Sequence, residues 1–202
     1  MKAKTKPLTA LVLLAGIGLA STAEAALISR LGGLAVYDTD RNITWLQNAN
    51  ANGFMNWQTA KTWAEGLNIG GFTGWRLPTA DPVCGNAYNC TGSELGHLFY
   101  TEGGLTQGQA ITSSAVLSGL FSNMQNAVYW SGTEYAPNPL SAWSFNTFGG
   151  FQSSLLKSFE RNAWAVRSGD VAGGGSVPEP GIIGLLGIGA LAWAGTKQKR
   201  RG

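Results

Sequence analysis

Few side chains in this sequence have types and spacings that suggest chemistry. Cys84 and Cys90 are its only cysteines. In an oxidising compartment so close a pair forms a disulfide staple, and closing the loop stabilises the fold by about 2 kcal/mol on chain-entropy grounds. A metal site there would need further ligands nearby, and none is evident. His97 is the only histidine, three positions after Glu94. On a helix that spacing puts both on one face, the pattern of a Glu-x-x-His half-site. Such a centre needs partner helices with more ligands, so a surface or capping pair is expected instead. Asp38-Thr39-Asp40-Arg41-Asn42 resembles the opening of a calcium loop, but Ile43 and Ala49 stand where an EF-hand needs Gly and Glu. A polar turn is expected; calcium is possible but has no motif behind it. No Ser-His-Asp constellation appears. The residues thus predict no catalytic, cofactor-binding or metal-ligating set, and no enzyme.

The two ends of the chain carry targeting features. Lys2, Lys4 and Lys6 precede an apolar run from Leu8 to Ala20 and the small-residue site Ala23-Glu24-Ala25. That order is a secretory signal peptide over residues 1–25. At the other end, Val177-Pro178-Glu179-Pro180 leads into the apolar run Gly181–Gly195, closed by Lys197, Lys199, Arg200 and Arg201. As a helix this run reaches about 22 Å at ~1.5 Å per residue, short of a hydrocarbon core of ~30 Å, so flanking basic side chains would snorkel. The basic end is expected to stay cytoplasmic. In the order Pro178-Glu179-Pro180, apolar helix, then Lys199-Arg200-Arg201, the tail (178–202) resembles the PEP-CTERM sorting signal. The resemblance implies that an exosortase-type membrane protease recognises and removes it. The membrane anchor would then be transient and the product would lie at the cell surface or outside the cell.

Between the ends the composition changes. Residues 26–180 hold seven basic and ten acidic side chains, a formal charge of −3, although the whole chain is +3. A nucleic-acid partner is therefore not expected. Residues 26–171 are one domain's worth of chain and contain seven of the eight tryptophans. A Gly-rich linker at 172–177 follows.

These residues must be positioned by short elements. Leu34–Tyr37 and Ile43–Leu46 flank the Asp/Asn turn and predict a hairpin. Asn56 is an expected N-cap for a helix from Trp57 to about Leu67, with Trp57, Ala60, Trp63, Ala64 and Leu67 on its apolar face. Pro78 holds Trp75-Arg76-Leu77 extended. Thr91-Gly92-Ser93-Glu94 has capping-box spacing and opens a second helix, Ser93 to Tyr100. Residues 101–126 read mainly as loop. Ala127–Ser131, Ala142–Phe148 and Ala163–Arg167 read as strands, the last closing the sheet. Trp75 and Trp130 are expected in the core, with Arg76 and Arg167 paired to buried carboxylates. The layout is α+β, two helices on a mostly antiparallel sheet with long loops.

In their order, Asp38–Trp45, the Trp57 helix, Trp75-Arg76-Leu77-Pro78-Thr79, Tyr129-Trp130-Ser131-Gly132-Thr133 and Ala165-Val166-Arg167 resemble the Lcl C-terminal domain family. The resemblance implies a C-type-lectin-like fold and an extracellular role in adhesion and polyanionic glycan binding. This sequence departs from the pattern in the Cys84–Cys90 insertion and in Gly132, where a second Ser is usual. The expected function is a surface or matrix protein that binds extracellular polysaccharide in adhesion or biofilm structure. Contacts are expected from the loops at 101–126 and 135–141, with Tyr135 and Asn138 as candidates. Two alternatives are a small copper-dependent oxidase on the related formylglycine-generating-enzyme fold and a matrix protein without a ligand.

Overall fold

A computed structural model describes residues 27–172. The expected signal peptide, the linker beyond residue 172 and the sorting tail, including Pro178, Glu179, Pro180, Lys199, Arg200 and Arg201, lie outside the described residues. Among the described residues, no helix is long and apolar enough to cross a membrane.

The chain forms two sheets where one was expected. β1 (Leu27–Arg30), β2 (Ala35–Asp38) and β3 (Ile43–Leu46) make an antiparallel meander around the expected 38–42 turn. Asn42 takes a left-handed conformation there, φ 50°, which asparagine tolerates better than most residues. The last strand, β9 (Val166–Ser168), pairs with β3 and so completes this first sheet. The second sheet contains β4 (Phe54–Met55), β5 (Val128–Glu134), β6 (Ser141–Asn146), β7 (Phe151–Leu156) and β8 (Arg161–Asn162), in the order β4-β8-β5-β6-β7. Its pairings are antiparallel except for β5 with β8. Ser141 to Phe145 are all buried, so β6 is covered on both faces and its sequence does not alternate cleanly.

Asn56 caps α1 (Trp57–Glu65) by accepting from the Thr59 N–H at 2.9 Å. Trp57, Ala60 and Ala64 are buried, with Trp63 and Leu67 half-buried beside them. The helix stops two residues early, with Gly66 as its C-cap, a residue of poor helix propensity. The second helix is shorter than expected. α2 spans Glu94–His97 and widens into a π turn over Leu98–Glu102. Ser93, not Thr91, is its cap, accepting from Gly96 N–H at 3.0 Å. Gly96 is required here, because a Cβ would run into the Cys90 carbonyl and come within 2.6 Å of Ser93 Oγ. The 101–126 stretch is mainly loop, as expected, but not wholly so. It holds a 3-10 turn (Ile111–Ser113) and α3 (Ala115–Leu120), capped by Ser114, and it buries Ile111, Leu117 and Phe121.

Tryptophans organise the core. Trp45, Trp75, Trp130 and Trp164 are all within 1 % of complete burial. Trp164 meets Trp45 at 5.1 Å and Phe121 at 4.9 Å, both edge-to-face, the favoured geometry for aromatic quadrupoles. Indole N–H groups also bond strand carbonyls: Trp57 donates to Ser131 O at 2.7 Å, Trp130 to Met55 O at 2.9 Å and Trp164 to Leu46 O at 2.7 Å.

Candidate functional site

The β5–β6 hairpin and the disulfide loop face each other across a cleft of ≈ 370 Å³. Glu134, Tyr135, Ala136 and Pro137 form one wall, Pro82, Gly85 and Asn86 the other, and Trp143 joins them. Tyr135 is half-buried and stands edge-on to Trp143, centroids 5.0 Å apart and planes at 87°. This places an aromatic surface next to polar groups, the make-up of a site for amphipathic ligands. Glu134 is held by Lys157 at 3.0 Å, and its side chain is still 58 % exposed. No Arg or Lys lines the cleft. Asn138 is not part of its lining. Its Oδ1 accepts from Leu140 N–H at 3.1 Å and its amide donates to Ser141 Oγ at 3.3 Å, so it shapes the turn. Residues 101–126 are likewise absent from the lining.

The disulfide loop is a built wall. Cys84 and Cys90 are bonded, with Cα atoms 5.6 Å apart. Buried Gln152 of β7 secures the loop: its amide nitrogen donates to Asp81 O at 2.7 Å and Gly85 O at 3.0 Å, and its Oε1 accepts from Asp81 N–H at 3.1 Å. Its backbone also exchanges two hydrogen bonds with Ala87. Asn86 accepts from Ser154 N–H at 2.9 Å, and Tyr88 packs edge-on against Phe151 at 4.7 Å. The sequence pointed to the staple, which forms, and to Tyr135, which lines the cleft; it did not single out Trp143, Glu134, Asn86 or the anchoring Gln152. The pairing of β5 with β6 brings Trp143 near Tyr135; nothing local signalled Gln152 or Asn86.

Glu94 and His97 part company. Glu94 takes a bidentate pair from Arg76 at 2.8 and 2.7 Å, plus the Thr79 N–H at 2.7 Å. The Trp75-Arg76-Leu77-Pro78-Thr79 segment is thereby clamped to α2 and, through mutual backbone bonds of Arg76 with Val166, to β9. Arg76 thus meets its expected carboxylate. Arg167 instead donates to Thr73 O at 3.2 Å and lies over Phe72.

His97 corrects the expectation of a surface or capping pair with Glu94, because it turns inward. Its Nε2 lies 3.1 Å from Glu102 Oε1 and 3.9 Å from Asp38 Oδ2. All three residues are at most 8 % exposed. Burial raises the Glu102 carboxyl to about 7, reinforced by Asp38 and Asp40. Burial also raises Asp38 and lowers His97, where the Asp38 charge pulls the other way. Asp38 has left the apparent calcium loop: it is buried, while Asp40 and Asn42 are exposed and Asn42 Oδ1 accepts from Tyr37 OH at 2.9 Å.

Residues 34–167 match the Lcl C-terminal domain, and residues 176–201 match the PEP-CTERM protein-sorting motif. No curated protein gives a significant match. The sorting motif implies an exported protein whose membrane-anchoring tail is removed by an exosortase. Gly132 fits the domain match without strain, since a Cβ there would meet Leu77 at an ordinary 3.4 Å. With the domain match spanning well over half its length, the chain belongs to the Lcl C-terminal domain family and carries a PEP-CTERM sorting motif at its end.

Proposed function

We propose that this is a non-catalytic surface or matrix protein that binds extracellular polysaccharide in the Tyr135 cleft, on a C-type-lectin-like scaffold, and so assists adhesion or biofilm structure. The observation that carries the proposal is the cleft itself, where Tyr135 and Trp143 sit between two secured walls with Asn86 and Glu134 at hand. Sugar rings present C–H faces to aromatic rings and hydroxyls to amides and carboxylates, and this lining offers both kinds of partner. The absence of Arg and Lys from it, with Glu134 present, favours neutral glycans over the polyanionic class that the family resemblance suggested. The disulfide between Cys84 and Cys90 supports binding over the copper-dependent oxidase, which would draw on reactive thiols. In this reading the exosortase and the membrane are partners of the tail, and polysaccharide is the partner of the domain.

The test is a glycan array probed with wild type and Tyr135→Ala. Retention of neutral glycans by wild type, weakened at least tenfold in the variant, supports the proposal. Equal retention by both would move the site elsewhere, and a blank array with a folded protein would favour a matrix role without a ligand.

A further inference from the structure

Independently of the glycan reading, we propose that Asp38, His97 and Glu102 form a binding site for a divalent first-row transition cation of the zinc class. The three residues come from the end of β2, the end of α2 and the end of the π turn, and the fold brings together what the sequence separates by 59 and five positions, the former from 97 − 38 and the latter from 102 − 97. Their ligand atoms all lie within 4.8 Å of one another. A tetrahedral zinc site with metal–ligand distances of ~2.0–2.1 Å separates its ligand atoms by about 3.3 Å. The observed 3.1 and 3.9 Å from His97 Nε2 bracket that value, and the two carboxylates are no more than 4.8 Å apart.

A second observation points to a cation. Asp38 is completely buried, yet only its Oδ1 has a partner, the Arg41 N–H at 2.9 Å. Oδ2 accepts no hydrogen bond and faces His97. The Trp45 N–H, also without a partner, lies close by but does not complete a bond to it. A buried carboxylate oxygen without a donor is costly, and a metal ion at the centre of the triad would satisfy it. Two carboxylates and a neutral imidazole also match a double positive charge. The histidine and the small ligand number suit zinc and its neighbours better than calcium, which takes six to eight oxygens. Asp40 adds negative potential. Arg41 opposes it, but its guanidinium is drawn to the Thr91 and Gly92 carbonyls.

The experiment uses the full chain in mild detergent, stripped with chelator and titrated with zinc chloride alone. Retained metal is counted after gel filtration, and calcium is supplied as competitor. One equivalent of zinc, held at micromolar or tighter affinity, is expected, with excess calcium failing to displace it. His97→Gln and Glu102→Gln should each weaken it at least tenfold. Cobalt added to the wild type provides a readout that no variant's folding affects: intense visible bands of a tetrahedral nitrogen–oxygen site are expected. Zinc not retained by folded wild type, retention unchanged in both folded variants, or cobalt with only the weak bands of the hexa-aquo ion would overturn the proposal.

Discussion

Gln152→Glu tests whether the cleft wall depends more on one buried amide than on the covalent staple. The substitution keeps shape and length but replaces the nitrogen that donates to Asp81 O and Gly85 O with an acceptor. Both carbonyls then face a carboxylate oxygen. Leaving a buried polar group unsatisfied costs about 1–3 kcal/mol, so two lost donations amount to about 2–6 kcal/mol, to which the burial of a charge adds. The Cys84→Ser/Cys90→Ser double variant loses only the loop-closure contribution, about 2 kcal/mol for so short a loop. Equilibrium urea unfolding followed by tryptophan fluorescence should therefore rank wild type above the cysteine variant and the cysteine variant above Gln152→Glu. A further signature comes from pH. The buried glutamate disfavours its charged form, and its neutral carboxyl regains one donor, so the deficit should shrink between pH 7 and pH 5. Stability of Gln152→Glu within about 0.5 kcal/mol of wild type, a typical surface-substitution effect, would refute the assignment. So would a larger loss in the cysteine variant.

Arg76→Met leaves the buried Glu94 with only the Thr79 N–H, and should cost about 3 kcal/mol by the same unfolding assay; Arg76→Lys, lacking the planar fork, should recover only part. Glu102 gives a pH prediction with a definite sign. Its folded carboxyl titrates at about 7 against 4.5 for the ordinary group, so its stabilising protonated form is fully present below pH 4.5 and is lost as pH rises through about 7. With chelator present, wild type should lose stability relative to Glu102→Gln across that window, by up to on the order of 3 kcal/mol. Parallel pH profiles for the two proteins would contradict it.

What was legible in the sequence was local. The 34–46 hairpin followed from two β-rich runs around a polar turn, and α1 from Asn56 followed by tryptophans and alanines at helical spacing. Tyr129-Trp130-Ser131 announced its strand through aromatic content. α3 was hidden because Ala115–Leu120 sits among Gly and Ser with only Leu117 fully buried, too little for a periodic signal. The division into two sheets depends on β9 choosing β3, a pairing between opposite ends of the domain that no local pattern encodes. Similarly, Tyr135 could be suspected as an aromatic residue at a turn, whereas its facing wall is held by a glutamine in an otherwise unremarkable strand. Asp38 was the most misleading residue: its Asp-x-Asp-x-Asn setting suggests a solvent-facing loop, but the strand period carries it to the buried face with Trp45 and His97.

The pairing of β9 with β3 also determines where mechanical load would enter the domain. A tether attached beyond residue 172 would pull first on Val171, fully buried in the core, and then on Asp170, which Arg30 of β1 grips with two 2.8 Å bonds. Next in line are the Gly169 N–H on Asn42 O at 2.8 Å and the Gly169 carbonyl on Thr44 Oγ1 at 2.7 Å. These contacts tie the exit of the chain to β1, to β3 and to the turn between β2 and β3, so traction enters the first sheet at several points. The Tyr135 cleft is built on β5 and β6 of the other sheet. Load entering beyond residue 172 therefore meets the first sheet before it meets the strands that carry the cleft.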